Sequence, residues 1–211
     1  MTLPFITYFR ESFGRNLLNE QIRSHASLFH GQILDVGSGS RRYDHLFNAQ
    51  ITAIDLQPDP TRNITYGDIH VLAFTGEHFD GVICFEVLCY SSNVRKALQE
   101  LLRVTKPDGQ ILLSTPFLLR DSGDRVRFTK RYLEELLNEL NVKNVHIIPC
   151  GNAWTIIWDI LRTTILETRS KPMRLVLSLL FLPYLLLILA LGLHRQKTPL
   201  YTAEHVVVIT K

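Results

Sequence analysis

Cysteine, tryptophan and methionine are scarce in this chain of 211 residues, which has three, two and two of them respectively. Cys84, Cys89 and Cys150 are odd in number, and no pair has the C-x-x-C spacing. We therefore expect them to be packing residues of a protein in a reducing compartment. The eight histidines form no H-x-x-x-H pattern and no Cys/His cluster, so the sequence predicts no metal site.

The N-terminus lacks a basic segment followed by an uninterrupted apolar run and a small-residue cleavage site. We therefore expect no signal peptide and a location on the cytoplasmic side of a membrane. Internal repeats and low-complexity linkers are also missing. Apolar residues make up 46% of the chain and charged residues 20%, as in an ordinary globular domain, so an unstructured polymer is excluded.

An excess of either charge sign is missing from the first 150 residues, which hold 16 Lys and Arg against 17 Asp and Glu. A surface that binds nucleic acid concentrates basic side chains, so we expect no nucleic-acid partner. The basic excess lies in residues 151–211, which hold 7 basic against 3 acidic side chains and also the most apolar run, Leu175–Leu193. This last part of the chain is therefore expected to face a membrane.

Short apolar runs alternate with helical patterns along most of the chain. The pattern predicts strands near residues 32–36, 51–54, 80–85, 110–114, 142–148 and 205–209, and helices near residues 17–29, 93–104 and 129–140. Lys106–Gly109 is predicted to be a turn. Because the strand runs are nearly continuous in apolar residues, the expected fold class is α/β, with a doubly wound, mostly parallel sheet covered on both faces.

Acidic residues end the first two predicted strands. Asp35 lies two residues before Gly37, Gly39 follows, and Asp55 ends the second strand. Ligands of an open parallel sheet bind beyond the carboxyl ends of its strands, and glycines there let the backbone approach closely. The third glycine of the dinucleotide fingerprint is missing, since position 42 is an arginine. A carboxylate at position 35 suits an amino group rather than a pyrophosphate, and one at position 55 suits ribose hydroxyls, so S-adenosylmethionine fits.

The run Ile33-Leu-Asp-Val-Gly-Ser-Gly39 resembles the glycine-rich motif of class I S-adenosylmethionine-dependent methyltransferases. Four further segments are similar to this family in order and spacing, namely Ile54–Leu56, Gly67–Phe74, Phe79–Leu88 and Glu100–Gly109. The resemblance covers about residues 30–150 and implies a seven-stranded Rossmann-like sheet with S-adenosylmethionine as cofactor. It further implies that His205–Ile209 is the last strand and lies next to the strand 142–148.

The resemblance also implies roles for single residues. Asp35 would bind the amino group of the cofactor, Gly37 and Gly39 would flank its methionine part, and Asp55 would bind the ribose hydroxyls. The remaining cofactor-binding residues implied are Leu56 against the adenine, Asp68 with the Ile69 backbone at the adenine edge, and Phe85 beside the reactive methyl group. Alternatively, Asp68 caps a turn and Leu56 belongs to the core.

Methyl transfer requires mainly orientation, and a general base only for a weakly acidic hydroxyl or a protonated amine. Glu86 and Tyr90 are the catalytic candidates, because they follow the fourth strand of the implied fold. Where relatives often have Glu-His this chain has Cys89-Tyr90, so the histidine base is absent. Arg125 and Arg127 could hold an anionic substrate, or belong to a solvated loop that caps a helix.

The organisation expected is an N-terminal helical segment over residues 1–30, a cofactor-binding core over residues 31–150, a helical apolar insertion over residues 151–200, and the last strand over residues 201–211. Residues 152–168 show the pattern of an amphipathic interfacial helix, with Trp154, Ile157, Trp158, Leu161 and Ile165 on one side. The 19 residues Leu175–Leu193 include 16 apolar ones, no charge, and a proline at position 183 that permits a kink or a helical hairpin.

A helix of 19 residues is about 28 Å long, near the thickness of a bilayer core. A single crossing would nevertheless leave the last strand on the wrong side of the membrane, and basic residues flank the run at both ends. We therefore predict monotopic insertion, with a dimer interface or a transmembrane anchor as alternatives. The expected function is methylation of a lipid, an isoprenoid or quinone head group, or a lipid-linked saccharide. The alternatives are a non-catalytic cofactor-binding scaffold and a soluble methyltransferase that forms a homodimer.

Overall fold

The computed structural model describes residues 11–118, 120–196 and 200–211, and these divide into two compact units. The α/β unit comprises residues 21–117, 121–148 and 205–211. The helical unit comprises the described residues among 1–20, 118–120 and 149–204. The first ten residues of the predicted N-terminal segment, and Lys197 among the flanking basic residues, lie outside the described residues.

A seven-stranded sheet with the order β3-β2-β1-β4-β5-β7-β6 is the centre of the α/β unit. Its strands are β1 (Gln32–Val36), β2 (Gln50–Asp55), β3 (Ile64–Tyr66), β4 (Phe79–Phe85), β5 (Thr105–Pro116), β6 (Asn144–Cys150) and β7 (Glu204–Thr210). The pairs β1–β2, β1–β4, β2–β3 and β4–β5 are parallel. The predicted α/β sheet is confirmed, and its last strand lies beside β6 as expected.

Three helices accompany this sheet along the chain, α1 (Phe13–His25), α2 (Val94–Val104) and α3 (Lys130–Glu139). Two of them begin at side-chain caps. The Asn93 side-chain oxygen Oδ1 accepts the backbone N–H of Lys96 at 3.0 Å, and the Thr129 hydroxyl accepts that of Tyr132 at 3.1 Å. Each cap satisfies a backbone donor that the first helical turn leaves without a partner, which explains why the helices begin there.

The core of the α/β unit lies between strands that are buried on consecutive residues and the apolar faces of α2 and α3. Four of the five residues of β1 are buried, and α3 contributes Leu133, Leu136 and Leu137. Cys84 and Cys89 belong to this core, and all three cysteines are buried and form no disulfide. Burial on both faces explains why the strands show continuous apolar runs rather than alternation.

Two local predictions differ from the structure. The predicted turn Lys106–Gly109 lies inside β5 as an irregularity, where the pairing with β4 jumps from Phe79–Thr105 to Gly81–Gln110. Asp108 has a positive φ of 61° within it, which is a turn conformation. The strand β3 had not been placed from the sequence, because three residues are too few to show a periodicity.

The helical unit contains α4 (Ala153–Glu167) and α5 (Lys171–Ala190), which are joined by three residues and lie between β6 and β7 in the chain. Phe13, Trp158, Leu185 and Ile188 form its buried apolar cluster. The helix α5 continues through Pro183 rather than folding back at it. This one helix is, within the described residues, long and apolar enough to cross a membrane by length and composition.

Asp159 is a half-buried acid of the helical unit. Its carboxylate accepts the backbone N–H groups of Phe13 at 2.7 Å and Gly14 at 2.9 Å, at the start of α1. Burial raises the pKa of this carboxyl to about 6, although the two N–H donors act in the opposite direction. Asp159 therefore has a structural role at the first turn of α1, where a negative charge is favourable.

The apolar stripe predicted on α4 does not face outward as one surface. Trp158 belongs to the buried apolar cluster of the helical unit, and Ile165 is also buried, so neither side chain is available at the surface. Trp154 and Ile157 are 39% and 44% exposed, and Ile160, outside the predicted stripe, is 60% exposed. The exposed apolar surface of α4 is therefore only partly the predicted one.

Candidate cofactor and acceptor site

The carboxyl ends of four neighbouring parallel strands meet at one edge of the sheet. The register pairs Asp35 of β1 with Ala53 of β2 and Ile83 of β4, and Phe85 of β4 with Ser114 of β5. The acids predicted to bind the cofactor and the residues predicted beside its methyl group therefore belong to one edge. This is where an open parallel sheet binds ligands.

Asp35 is a buried carboxyl, 6% exposed, near the end of β1. No donor among the described residues is hydrogen-bonded to its carboxylate. Burial raises the pKa of Asp35 to about 7, and the neighbouring Asp44 carboxylate adds to the rise while Arg41 opposes it. A buried carboxylate without a partner is costly, and a positively charged group of a ligand removes that cost.

Gly37 and Gly39 both have a positive φ, of 72° and 52°. A Cβ at Gly37 would lie 2.2 Å from the Val87 side chain, so this glycine permits close packing between the first turn and the loop after β4. A Cβ at Gly39 would meet nothing within 4 Å. Gly39 therefore leaves open space beside the backbone, in a conformation that side chains rarely adopt.

Asp55, at the end of β2, organises the glycine turn. Its two carboxylate oxygens accept one backbone N–H each, from Gly39 at 3.1 Å and from Gln57 at 2.9 Å. A carboxylate oxygen has a further lone pair beyond one such bond, so both oxygens retain an acceptor site. Asp55 can therefore bind a pair of ribose hydroxyls while holding the turn in place.

The residues predicted around the adenine differ in exposure. Leu56 is 62% exposed, so the alternative that it belongs to the core does not hold. The Ile69 side chain is buried in the core, which leaves only its backbone to contact a ligand. Asp68 accepts the backbone N–H of His70 at 2.9 Å, and this bond, aided by the His70 side chain, lowers the pKa of Asp68. Asp68 therefore caps the turn at His70, as the alternative stated, and this bond is one of its contacts.

The two catalytic candidates follow β4. Glu86 has a positive φ of 58°, and its Oε1 accepts the hydroxyl of Ser114 at 2.8 Å. Tyr90 is 47% exposed and bonds Ser122 through its hydroxyl at 3.0 Å. Phe85 contacts the ring of Tyr43 edge to face, at 4.9 Å between centroids. A left-handed conformation at a residue other than glycine is strained, and such strain concentrates at functional sites.

The two arginines predicted to hold an anionic substrate have different surroundings. Arg127 is bonded to the Asp124 carboxylate and donates to the Phe117 carbonyl at 2.8 Å. This pairing, above all the side-chain hydrogen bond, lowers the pKa of Asp124 to about 2. Arg125 is exposed and has no ion pair within the described residues, and its backbone N–H donates to the Cys89 carbonyl at 2.7 Å. The contacts of Arg127 agree with the alternative that it belongs to the loop before α3. Of the two arginines, Arg125 stays the candidate for binding an anionic substrate.

Sequence reasoning did not single out three side chains that the structure places beside the predicted residues. Ser114 bonds Glu86, and His70 and Ser91 connect to Asp68. Serine and histidine at these positions have no local pattern that distinguishes them from surface residues. The His70–Ser91 and Ser114–Glu86 bonds join residues that are 21 and 28 positions apart, so only the folded chain brings these pairs together.

Residues 34–113 match the family model described as a methyltransferase domain. The chain is 33% identical over 116 residues to a malonyl-acyl carrier protein O-methyltransferase of Erwinia billingiae, in a match covering 48% of this chain and 45% of that protein. The match thus spans about half the length of this curated relative.

Two solved structures resemble the whole chain. A SAM-dependent methyltransferase from Archaeoglobus fulgidus has a TM-score of 0.61 at 15% identity, with 98% of this chain and 99% of that chain covered. The (4+2)-cyclase SpnF has a TM-score of 0.60 at 17% identity, with 96% and 84% covered. At these identities the likeness shows the fold alone.

The strand order and the structural neighbours show the fold that the resemblance to class I S-adenosylmethionine-dependent methyltransferases implies. Within the α/β unit, residues 34–113 match a methyltransferase domain. S-adenosylmethionine is the cofactor of this class, and the lone Asp35 carboxylate and the open space at Gly39 fit its amino group and methionine part.

Proposed function

We propose that this protein transfers a methyl group from S-adenosylmethionine to a membrane-associated acceptor, namely a lipid, an isoprenoid or quinone head group, or a lipid-linked saccharide. The use of S-adenosylmethionine is supported by Asp35, a buried carboxylate without a hydrogen-bond partner among the described residues. The membrane-associated acceptor is supported by the exposed apolar surface of the helical unit. The fold alone does not identify an acceptor.

When bound, the cofactor would supply a methyl group on a positively charged sulfur; the acceptor nucleophile would bond to the methyl carbon and the sulfur would leave as the thioether of S-adenosylhomocysteine. The task of this chain is then to bind and orient. Asp35 would hold the amino group and Asp55 the ribose hydroxyls, which fixes the direction in which the acceptor must approach. Glu86 and Tyr90 follow β4 at the same edge of the sheet, and we propose that they line the acceptor side and exchange a proton where the acceptor requires it.

The helix α5 exposes an unusual amount of apolar surface. Only 11% of its most apolar 18-residue window is buried. Its largest exposed side chains are each 46–64% exposed, namely Met173, Leu175, Val176, Leu179, Leu180, Leu186 and Leu187, and Leu191 follows at 63%. A contiguous exposed surface of this kind marks an interaction site. We propose that its partner is the hydrocarbon region of a membrane leaflet.

Basic side chains support a helix that lies in the membrane surface. Arg169 and Lys171 are exposed at the start of α5, and Arg195 is exposed after its end. Basic residues at both ends support the proposal that both ends lie near the headgroups of the cytoplasmic leaflet. The strands β6 and β7, which flank the two helices in the chain, are neighbours in one sheet, so the chain must return to the side from which it left. Both observations favour monotopic insertion over a single crossing.

Cofactor affinity is expected to depend on pH through Asp35. Its pKa of about 7 means that the carboxyl is mostly neutral below pH 7 and ionised above it. Only the carboxylate attracts the positively charged amino group, so the Kd of S-adenosylhomocysteine should rise about tenfold from pH 8 to pH 6. Isothermal titration calorimetry measures this. The Asp35→Asn variant should bind weakly and show a flat profile, and a wild-type profile that is already flat would contradict the role of Asp35.

The stability of the ligand-free protein should change with pH in the opposite sense. A carboxyl with a raised folded pKa favours the folded state while it is protonated, and this contribution is lost as pH rises from about 4 to about 7. Asp35→Asn removes this dependence.

The proposal is tested by incubating the full chain with methyl-labelled cofactor and total membrane lipids, followed by phase extraction. We expect label in the organic phase, and none with an Asp55→Ala variant. Label that appears only with an acyl-carrier protein bearing a malonyl group would overturn the lipid acceptor and favour the chemistry named for the Erwinia relative. Cofactor binding without transfer to any fraction would favour a non-catalytic scaffold.

A further inference from the structure

A chain of hydrogen bonds links the predicted adenine-binding acid to the loop after β4. His70 Nδ1 lies 2.7 Å from Asp68 Oδ1, and His70 Nε2 lies 2.8 Å from the Ser91 hydroxyl. Ser91 Oγ also accepts the backbone N–H of Asn93 at 3.1 Å, directly before α2. The segment Gly67–Val71 is thereby connected to the segment that follows Tyr90.

The direction of these bonds follows from the chemistry of the carboxylate. Asp68 is ionised at neutral pH, since its hydrogen bonds with the His70 backbone and side chain lower its pKa. An ionised carboxylate only accepts, so His70 must carry a proton on Nδ1. In the neutral ring Nε2 is then the acceptor of the Ser91 hydroxyl. His70 is held at both nitrogens, and Oδ1 of Asp68 is held by both the ring and the backbone N–H of His70.

The order serine, histidine, aspartate also occurs in hydrolases, but the surroundings of Ser91 do not suit a nucleophile. Its side chain is buried, with 5% of the residue exposed, and its oxygen already accepts the Asn93 N–H. The Asp68 side chain is 39% exposed, so its remaining lone pairs are accessible to a ligand. The arrangement is therefore built to orient Asp68.

We propose that His70 is a positioning residue that fixes the Asp68 carboxylate for the adenine amino group, with Ser91 holding the ring from the other side. The inference rests on the proposed function, because it assigns Asp68 to the adenine of the cofactor. It adds a side chain that acts through Asp68, and it explains how the adenine-binding turn is tied to the loop on the acceptor side.

The test compares two ligands that differ only at the adenine. S-adenosylhomocysteine carries the base, and S-ribosylhomocysteine has a hydroxyl in its place. We expect His70→Ala to raise the Kd of S-adenosylhomocysteine about tenfold and to leave that of S-ribosylhomocysteine unchanged. His70→Asn, whose amide can still donate to Asp68, should recover part of the loss. Ser91→Ala should raise the Kd of S-adenosylhomocysteine about threefold.

Two variants serve as matched controls, because both residues are exposed and close in type. Ser92→Ala removes the hydroxyl next to Ser91, and His146→Ala removes an imidazole from β6. Both should leave both Kd values unchanged. In an assay that measures formation of the methylated product, His70→Ala should raise KM for S-adenosylmethionine and change kcat less than twofold, as expected for lost cofactor binding.

The outcomes separate the two proposals. Equal weakening of both ligands by His70→Ala would mean a general role in folding the turn, and an unchanged Kd would mean no role, so either result overturns the inference alone. A wild-type protein that binds neither ligand would overturn the cofactor site itself, and with it the proposed function.

Discussion

Replacing Asp55 by alanine is expected to weaken the binding of S-adenosylhomocysteine by at least about 100-fold. The variant removes charge-assisted hydrogen bonds to two ribose hydroxyls. It also releases the backbone N–H groups of Gly39 and Gln57, which the two carboxylate oxygens accept. The loss therefore combines a direct contact with a less ordered glycine turn. Isothermal titration calorimetry at pH 8, where Asp35 is mostly ionised, gives the affinity.

Two further variants separate these contributions. Asp55→Asn keeps one acceptor oxygen but no charge, so we expect an intermediate loss. Glu20→Ala removes an exposed carboxylate from α1 and should not change the affinity. Thermal unfolding of each variant without ligand shows whether the fold is kept. A folded Asp55→Ala protein with wild-type affinity would contradict the assignment of the ribose site.

Placing two glutamates on the exposed face of α5 is expected to release the protein from membranes. Leu179 and Leu180 are 62% and 64% exposed, so Leu179→Glu with Leu180→Glu leaves the apolar cluster of the helical unit intact. Each change exchanges a favourable apolar contribution in the membrane for an unfavourable charged one. Together they should lower the partition coefficient on vesicles by at least about 100-fold. Sedimentation with vesicles that contain anionic lipid measures it.

The matched control is Leu28→Glu, which makes the same change at a leucine of the α/β unit that is 43% exposed. It should leave vesicle binding unchanged. If the wild-type chain stays in the supernatant and instead forms a stable dimer that the double variant dissociates, the membrane proposal is wrong and the apolar face is a protein interface.

Monotopic insertion also predicts where the two ends of α5 lie. Arg169→Cys and Arg195→Cys should both react with a membrane-impermeant maleimide from the same side of a sealed vesicle. The three native cysteines are buried and should contribute little background. Labelling from opposite sides would show a transmembrane helix.

The elements with a strong local signal were predicted well. The continuous apolar runs of β1, β2, β4 and β7 are found as expected, and the helices predicted near residues 93–104 and 129–140 begin at the side-chain caps Asn93 and Thr129. Continuous burial and a side-chain cap leave a trace in the sequence, because each requires a particular residue type at a particular position. Residues 106–109 have the composition of a turn, and a turn was predicted there, but they lie inside β5. Only the pairing of β5 with β4 makes them part of a strand.

In the candidate site, too, the residues with a local sequence signal were predicted and their tertiary contacts were not. The positions of Asp35, Asp55, Gly37 and Gly39 followed from acids and glycines at predicted strand ends. The partners of these residues did not. That Asp35 has no hydrogen-bond donor among the described residues, and that Asp55 holds Gly39, depends on which backbone atoms the folded chain brings within reach.

For the apolar insertion, composition predicted the apolar run but not its packing. A run of 16 apolar residues in 19 and its basic flanks were visible at once, but composition did not tell which side of each helix would be covered. The tertiary structure buries Trp158, Leu185 and Ile188 against Phe13 and leaves the other face of α5 exposed.

The lack of a charge excess in the first 150 residues, and the basic excess after them, were determined by the sequence alone, as were the order of the strands other than β3 along the chain and the acids at the ends of β1 and β2. The tertiary structure decided the pKa of Asp35, the bonds that link Asp68, His70 and Ser91, and the face of α5 that stays exposed. The physical reason is that burial and hydrogen bonding depend on distances between residues far apart in the chain, which no local pattern contains.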